Sequence, residues 1–233
     1  NESPPTFGWD CETFNFMLKK LNQTQNNFLA MVFTGTAHSP FRKTPKPYHN
    51  KHTEYGVEGF LNTLHYVDFC LEEFFSAAEK TNWFANTVFF ITGDHTVAKY
   101  ANLKDLDLYK VPLIIYAPKL LQSKIYTKIT SHIDILPTVV DLLNFDSPVA
   151  TLGKSIFEQN NDTAFALLTS KENPTPILVT SQGFIQHSFK NIIKHQKFDE
   201  QKCDELCLQN MEKILLSLHQ ILYQVIKQNQ WKP

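Results

Sequence analysis

The chain lacks an excess of either charge. Its 22 Lys and Arg are balanced by 23 Asp and Glu in 233 residues, a formal net charge of -1. A nucleic-acid-binding domain is normally strongly basic, so that class is excluded. The chain also lacks an apolar run of about 18 residues or more, so no membrane-spanning helix is expected within it. Asn1 to Thr6 (NESPPT) is polar and Pro-rich, unlike the apolar core of a signal peptide. The sequence begins abruptly, as though something precedes it. Cysteine is scarce: Cys11, Cys70, Cys203 and Cys207 are the only four, even in number but too few for a disulfide scaffold. On one continuous helix, the Cβ atoms of Cys203 and Cys207 would lie about 5–6 Å apart. A disulfide needs roughly 3.5–4.5 Å. A bridge between them therefore requires a helix break, and bridged and free states both stand at this point. No second Cys/His pair lies nearby to complete a zinc site.

What the chain does have is apolar material, including 19 Phe, enough to bury a sizeable core. Asp10 reads as a helix N-cap ahead of Phe14, Met17, Leu18 and Leu21 at helical spacing. Phe28 to Thr34 (FLAMVFT) is a continuous apolar run of strand length, the pattern of a strand buried on both faces of a parallel sheet. A loop rich in Pro, Lys and His follows. The clearest helix carries the stripe Val57, Phe60, Leu61, Leu64, Val67, Leu71, Phe74, Phe75 and Ala78. Thr87 to Thr92 (TVFFIT), Val111 to Tyr116 (VPLIIY) and Ile177 to Thr180 (ILVT) read as further strands. Pro112 falls near a strand start, where proline is tolerated. Asp134, Pro137 and Val139 to Leu143 predict a short helix with proline in its first turn. Glu158 to Pro176 reads as a polar surface excursion. A last helix carries Leu208, Met211, Ile214, Leu215, Leu218, Ile221, Leu222 and Val225. Strands alternating with amphipathic helices predict an α/β sandwich, with helices flanking a mostly parallel central sheet. One domain over residues 1–233 is expected, incomplete at its N-terminal side.

In open α/β sheets, ligands collect beyond the carboxyl ends of the strands. The first strand is followed by Gly35-Thr36-Ala37-His38-Ser39-Pro40, the second by Gly93-Asp94-His95-Thr96. Asp94 and His95 are adjacent, and inside a strand they would point to opposite faces. A turn at Gly93 would let both reach one ion. A carboxylate oxygen and an imidazole nitrogen suit zinc or manganese, with magnesium or calcium as further candidates. The plainer reading makes Asp94 a cap and His95 a surface loop residue.

Residues 55–96 (YGVEGFLNTLHYVDFCLEEFFSAAEKTNWFANTVFFITGDHT) resemble the sulfatase family of the alkaline phosphatase superfamily. Within it they look most like the bacterial branch of lipoteichoic acid synthase and related phosphoglycerol and phosphoethanolamine transferases. VPLIIYAP (111–118), SHIDILPTVVDLL (131–143), GKSIF (153–157) and TGTAHSPF (34–41) resemble further stretches in the family's order, over roughly residues 6–157. The resemblance implies that Asp94 and His95 bind the catalytic divalent metal. It also implies that His38 contacts the substrate's phosphate or sulfate, or donates a proton. His132 falls in a family motif but reads as structural. Asp68, near the apolar stripe, would need a hydrogen-bond partner if buried. His49 and His52 could border the substrate site, and Lys99 could reach an anionic substrate.

The family's nucleophile (threonine in transferases, a modified cysteine or serine in sulfatases) and a further acidic metal ligand have no counterpart in this chain. Thr36 matches the histidine loop, not the nucleophile turn. The expected activity of the intact protein is metal-dependent transfer of a phosphoryl-linked group onto an anionic phosphate-bearing glycan or lipid. It is placed at the extracytoplasmic face of a bacterial membrane, anchored through an upstream segment. A sulfate ester hydrolase acting on a sulfate-bearing glycan is the first alternative, and a non-catalytic interaction module the second.

Overall fold

A computed structural model describes residues 8–45, 56–97, 105–146, 148–158, 163–198 and 203–230. It divides into two compact units, Asn1–Ser123 and Lys124–Pro233.

The first unit is organised by two helices, α1 (Asp10–Asn22) and α2 (Gly56–Ala78). They pack through Phe14 against Phe74, ring centroids 5.6 Å apart, and are bridged by a Cys11–Cys70 disulfide. Sequence spacing gave no sign of that pairing, because the two cysteines are 59 residues apart. The core is aromatic: Trp9, Phe14, Tyr66, Phe74 and Phe84 are buried, with Phe75, Trp83 and Phe89 packed against them. The α2 stripe holds at Phe74 and Ala78 but rotates in the first half of the helix. There Asn62, Thr63, Tyr66 and Cys70 face inward, while Leu61 and Leu64 are exposed. Asp68 is exposed too, so the expected buried hydrogen bond is not needed. Nor does Asp10 cap α1: Trp9 is the N-cap residue, and Asp10 is the first helical residue.

Strands β1 (Phe89–Thr92) and β2 (Leu113–Tyr116) pair antiparallel, Phe89 opposite Tyr116 and Thr92 opposite Leu113. Their aromatic ends close over Phe75 and Phe84. Phe28 to Thr34, predicted as a doubly buried strand, belongs to no described ladder. Its side chains are unevenly buried. Phe28 stacks edge-on against Trp83 and Val32 packs on the core, while Leu29 and Met31 are 92% and 94% exposed.

In the second unit, a helical turn at His132–Asp134 leads into α3 (Ile135–Leu142), as the Asp-Pro pattern predicts. Asp134 is buried and accepts from the backbone N–H of Ser131 (2.8 Å) and of Lys154 (2.9 Å). This ties the 131–143 motif to the 153–157 motif. Gly153 is obligatory at that junction, since a Cβ there would lie 2.1 Å from the Ile133 carbonyl oxygen. His132 is exposed on the turn. Four strands follow as an antiparallel meander, β3 (Phe165–Thr169), β4 (Pro176–Thr180), β5 (Gly183–His187) and β6 (Ile192–Lys197). Strand β3 lies inside the segment read as a polar excursion; five residues, FALLT, were enough to pair with β4.

Helix α4 (Glu205–Gln228) lays Leu208, Met211 and Leu215 on Leu178 of β4 and Ile185 of β5. Ile214 and Ile221, assigned to the same stripe, are exposed. Asp204 caps the helix, its Oδ1 accepting from the Cys207 N–H at 2.9 Å. Cys203 therefore precedes the helix, which is the break a bridge requires, and Cys203–Cys207 is a disulfide.

Both sheets among the described residues are antiparallel, and the expected mostly parallel central sheet is not found among them. A continuous apolar run signals burial; it carries no information about strand direction.

Phe74 is 4% exposed and touches Phe14, Phe75 and Phe89. Phe74→Ala is expected to destabilise the fold by about 3–5 kcal/mol, measured by urea unfolding. A loss under about 1 kcal/mol, well below that range, would remove Phe74 from the core.

Candidate functional site

Two segments of the first unit carry the predicted site residues, the loop after Phe28 to Thr34 and the turn after β1. In the first, His38 is exposed between two buried anchors, Thr36 at 2% and Phe41 at 4% exposure. The His38 N–H donates to the Gly35 carbonyl and the Phe41 N–H to the His38 carbonyl, both at 3.1 Å. A cis Ser39–Pro40 peptide lies between them. Phe41 has φ 55° and packs edge-on against Phe60 at 5.3 Å. His38 Nδ1 lies 2.7 Å from the Ser39 carbonyl oxygen. A carbonyl only accepts, so Nδ1 carries the proton.

The turn after β1 repeats that arrangement. His95 Nδ1 lies 2.9 Å from the Thr96 carbonyl oxygen, which again leaves Nε2 as the lone-pair donor. Metal-binding histidines characteristically have their second nitrogen fixed by such a bond. The Asp94 carboxylate folds back on the same turn, its Oδ1 accepting from the His95 N–H at 2.9 Å. Its Oδ2 then lies 3.7 Å from His95 Nε2, too far for a hydrogen bond but close enough for both atoms to contact one cation. Both side chains are more than half exposed, at 57% and 63%. Thr92 Oγ1 donates to the Pro112 carbonyl at 2.8 Å, and Thr96 Oγ1 donates to the Leu108 carbonyl, so the turn is held on both sides. Gly93 is not required for it, since a Cβ there would lie at ordinary contact distance, 3.6 Å from Val111 Cγ1.

The donor set fits a divalent metal as far as it goes: one carboxylate oxygen and one imidazole nitrogen on a single turn. No group of three His, Cys, Asp or Glu among the described residues could hold an ion. Zinc sites normally use three protein ligands or more. His49, His52 and Lys99 lie outside the described residues.

The element sequence reading missed is Asp10, taken for a helix cap. It is 1% exposed and bonded to Thr36. Close by, Tyr66 is buried, and Trp9 stacks edge-on against it at 5.7 Å. Burial, then the carboxylates of Glu12 and Asp10, push the Tyr66 hydroxyl from 10.0 up to about 12. No pattern in the sequence marks Asp10; only its placement 26 residues from Thr36 in the chain, yet in contact with it, reveals the pair.

This aromatic-cored helix-and-strand unit, which carries an Asp-His turn and a histidine loop, belongs to a known class of enzymes. The sulfatase family profile matches residues 1–145, and the chain belongs to that family. Within it, the similarity runs to the lipoteichoic acid synthase branch. Lipoteichoic acid synthase 1 of Bacillus subtilis (strain 168) is 26% identical over 178 residues, 67% of this chain and 27% of that protein. A solved protein of the alkaline phosphatase superfamily from Vibrio parahaemolyticus superposes on all of this chain with TM-score 0.77 at 19% identity. The lipoteichoic acid synthase LtaP from Listeria monocytogenes covers 92% with TM-score 0.65 at 18% identity. These two establish the superfamily fold. The chain spans 59% and 61% of those two solved chains. Enzymes of this family typically use a divalent metal.

Two measurements test the site. Asp94→Ala in the intact protein is expected to weaken zinc or manganese binding by more than about 100-fold, because even outer-shell partners cost about 10–100-fold. The fold should be preserved, since the side chain is exposed. Equilibrium dialysis with metal analysis decides it, and unchanged stoichiometry removes Asp94 from the ligand set. The second concerns Tyr66. Its folded-state pKa is raised, so its contribution is fully present below the unfolded value of 10.0 and lost as pH rises toward about 12. Unfolding midpoints measured across that range should fall less steeply in Tyr66→Phe than in the native chain.

Proposed function

We propose that the intact protein catalyses metal-dependent transfer of a phosphoryl-linked group, of the phosphoglycerol or phosphoethanolamine type, onto a glycan or lipid. The observation carrying this reading is the Asp94–His95 turn. There, an imidazole whose Nδ1 is held by a carbonyl presents Nε2 beside a carboxylate oxygen. Similarity to lipoteichoic acid synthases along two thirds of the chain supports the choice of transfer.

Asp94 and His95 would hold the metal, with the remaining ligand and the nucleophile supplied from outside residues 1–233. A bound divalent cation polarises the phosphate oxygens and lowers the pKa of the attacking hydroxyl. By the resemblance, that hydroxyl belongs to threonine. Thr36 is unsuited to the task, since it is buried and its Oγ1 donates to Asp10 at 2.6 Å. His38 is exposed on its loop; as an imidazolium, with Nε2 protonated as well as Nδ1, it would neutralise charge developing on the leaving oxygen or give it that proton. An anionic phosphate-bearing glycan or lipid is the substrate class.

The location proposed is the extracytoplasmic face of a bacterial membrane. All four cysteines are paired, and disulfides persist in oxidising compartments. No described helix is long and apolar enough to cross a membrane; the anchor proposed is an upstream segment, as the resemblance implies. A sulfate ester hydrolase is the second reading, favoured by the sulfatase profile over residues 1–145.

The test compares the intact protein with residues 1–233 alone on a chromogenic phosphodiester and a chromogenic sulfate ester, with added manganese or zinc. The intact protein should turn over the phosphodiester in preference, and the isolated segment neither. Preference for the sulfate ester would support the second reading. Metal-dependent turnover by residues 1–233 alone, abolished by Asp94→Ala, would show that the site is complete within them.

A further inference from the structure

Asp10 is buried in the first turn of α1 with more hydrogen-bonding capacity than its surroundings use. Its Oδ1 accepts from both the Thr36 N–H (3.0 Å) and the Thr36 hydroxyl (2.6 Å). Its own N–H donates to Thr36 Oγ1 at 3.0 Å. Its Oδ2 is buried with no hydrogen-bond partner among the described residues. If the fold required only an acceptor for two donors, an asparagine oxygen would serve without burying a carboxylate that has one oxygen unpaired, an arrangement that costs free energy. What the carboxylate adds is strength, since hydrogen bonds to a charged acceptor are shorter and stiffer than neutral ones. That stiffness falls on one residue, Thr36, two positions before His38.

The connection to His38 is short. The Gly35 carbonyl accepts from the His38 N–H, so a shift of Thr36 tilts the turn that presents the imidazole. On the far side, Phe41 is buried and packed on Phe60 of α2, fixing the other end of the loop. Asp10 is fixed in turn by its neighbour, because Cys11 is disulfide-bonded to Cys70 of the same α2. Both ends of the histidine loop are thus referenced to one helix: through Phe60 directly, and through Thr36, Asp10 and the disulfide. We infer that Asp10 is a positioning residue for His38, acting through a charge-assisted clamp on Thr36 and not by touching substrate.

The inference rests on the proposed role of His38, and the experiment separates the two. In the intact protein, Asp10→Asn preserves shape and an acceptor but removes the charge. It should keep the native unfolding midpoint and lower kcat by about 10- to 100-fold, the scale on which small misplacements act. KM should stay within about threefold, because ground-state binding is untouched. In a His38→Ala background Asp10→Asn should cost nothing further. Thr36→Val should reproduce the loss, and Thr36→Ser, which retains the hydroxyl, should restore most of the rate. Histidine side-chain NMR reads the clamp without turnover. The His38 ring signals should shift and broaden in Asp10→Asn, while those of His187, held by Glu212 and the Phe189 N–H, stay put.

If Asp10→Asn folds natively with unchanged His38 signals, or its kinetic loss persists in the His38→Ala background, the inference is overturned. If His38→Ala leaves turnover intact, the proposed role of His38 fails, and the NMR shift alone decides whether the clamp exists. If Asp10→Asn does not fold, the Thr36→Val and Thr36→Ser pair carries both readouts.

Discussion

The packing of α1 against α2 is the constraint on which the first unit depends. Phe14 and Phe74 make the contact, and the Cys11–Cys70 bridge makes it permanent. In the chain-entropy treatment, closing a loop of 59 residues is worth about 4 kcal/mol, and the four-residue separation of Cys203 and Cys207 about 2 kcal/mol. The long bridge is therefore the larger restraint, and it lies where the site needs one. Asp10, adjacent to Cys11, holds Thr36; Phe60, ten residues before Cys70, holds Phe41. His38 is exposed, yet its loop is fastened at both ends to a buried, cross-linked helix pair.

The Asp94–His95 turn is built differently. It rests on the β1–β2 ladder, whose aromatic end packs on Phe75 and Phe84. The turn itself is polar and exposed, closed by bonds from Thr92 and Thr96 to backbone carbonyls. In both places a carbonyl fixes histidine Nδ1, so the two imidazoles present the same nitrogen.

Against this ordered frame, the bare face of Phe28 to Thr34 stands out. Leu29 and Met31 are almost fully exposed and Phe33 is 59% exposed, while Val32 in the same segment packs inward. Large apolar side chains at alternating positions are costly to leave in water, at roughly 1.5–3 kcal/mol for each side chain. The described residues contain no layer for that face.

Composition and local pattern alone determined much of this protein. Near-neutral charge, a Phe-rich core, helices α1, α2 and α4, the β1 and β2 runs and the Asp-Pro helix start were all legible, because each depends on residues close in sequence. The Asp94–His95 turn was legible as a polar turn after an apolar run, and it does follow β1, whereas the segment before His38 forms no described strand. Tertiary structure decided the rest. Strand direction depends on which backbones meet, so the described sheets proved antiparallel where apolar runs had implied parallel ones. The Cys11–Cys70 bridge joins residues 59 apart. The inward face of α2 turned toward Thr63 and Tyr66 because Trp9 and the Cys11 bridge lie there, and helical spacing could not register neighbours so distant in the chain. Asp10 looked like a helix cap because a cap is a local device. It became a clamp because folding brought Thr36 to it, and a hydrogen bond depends on proximity in space, which sequence order does not record.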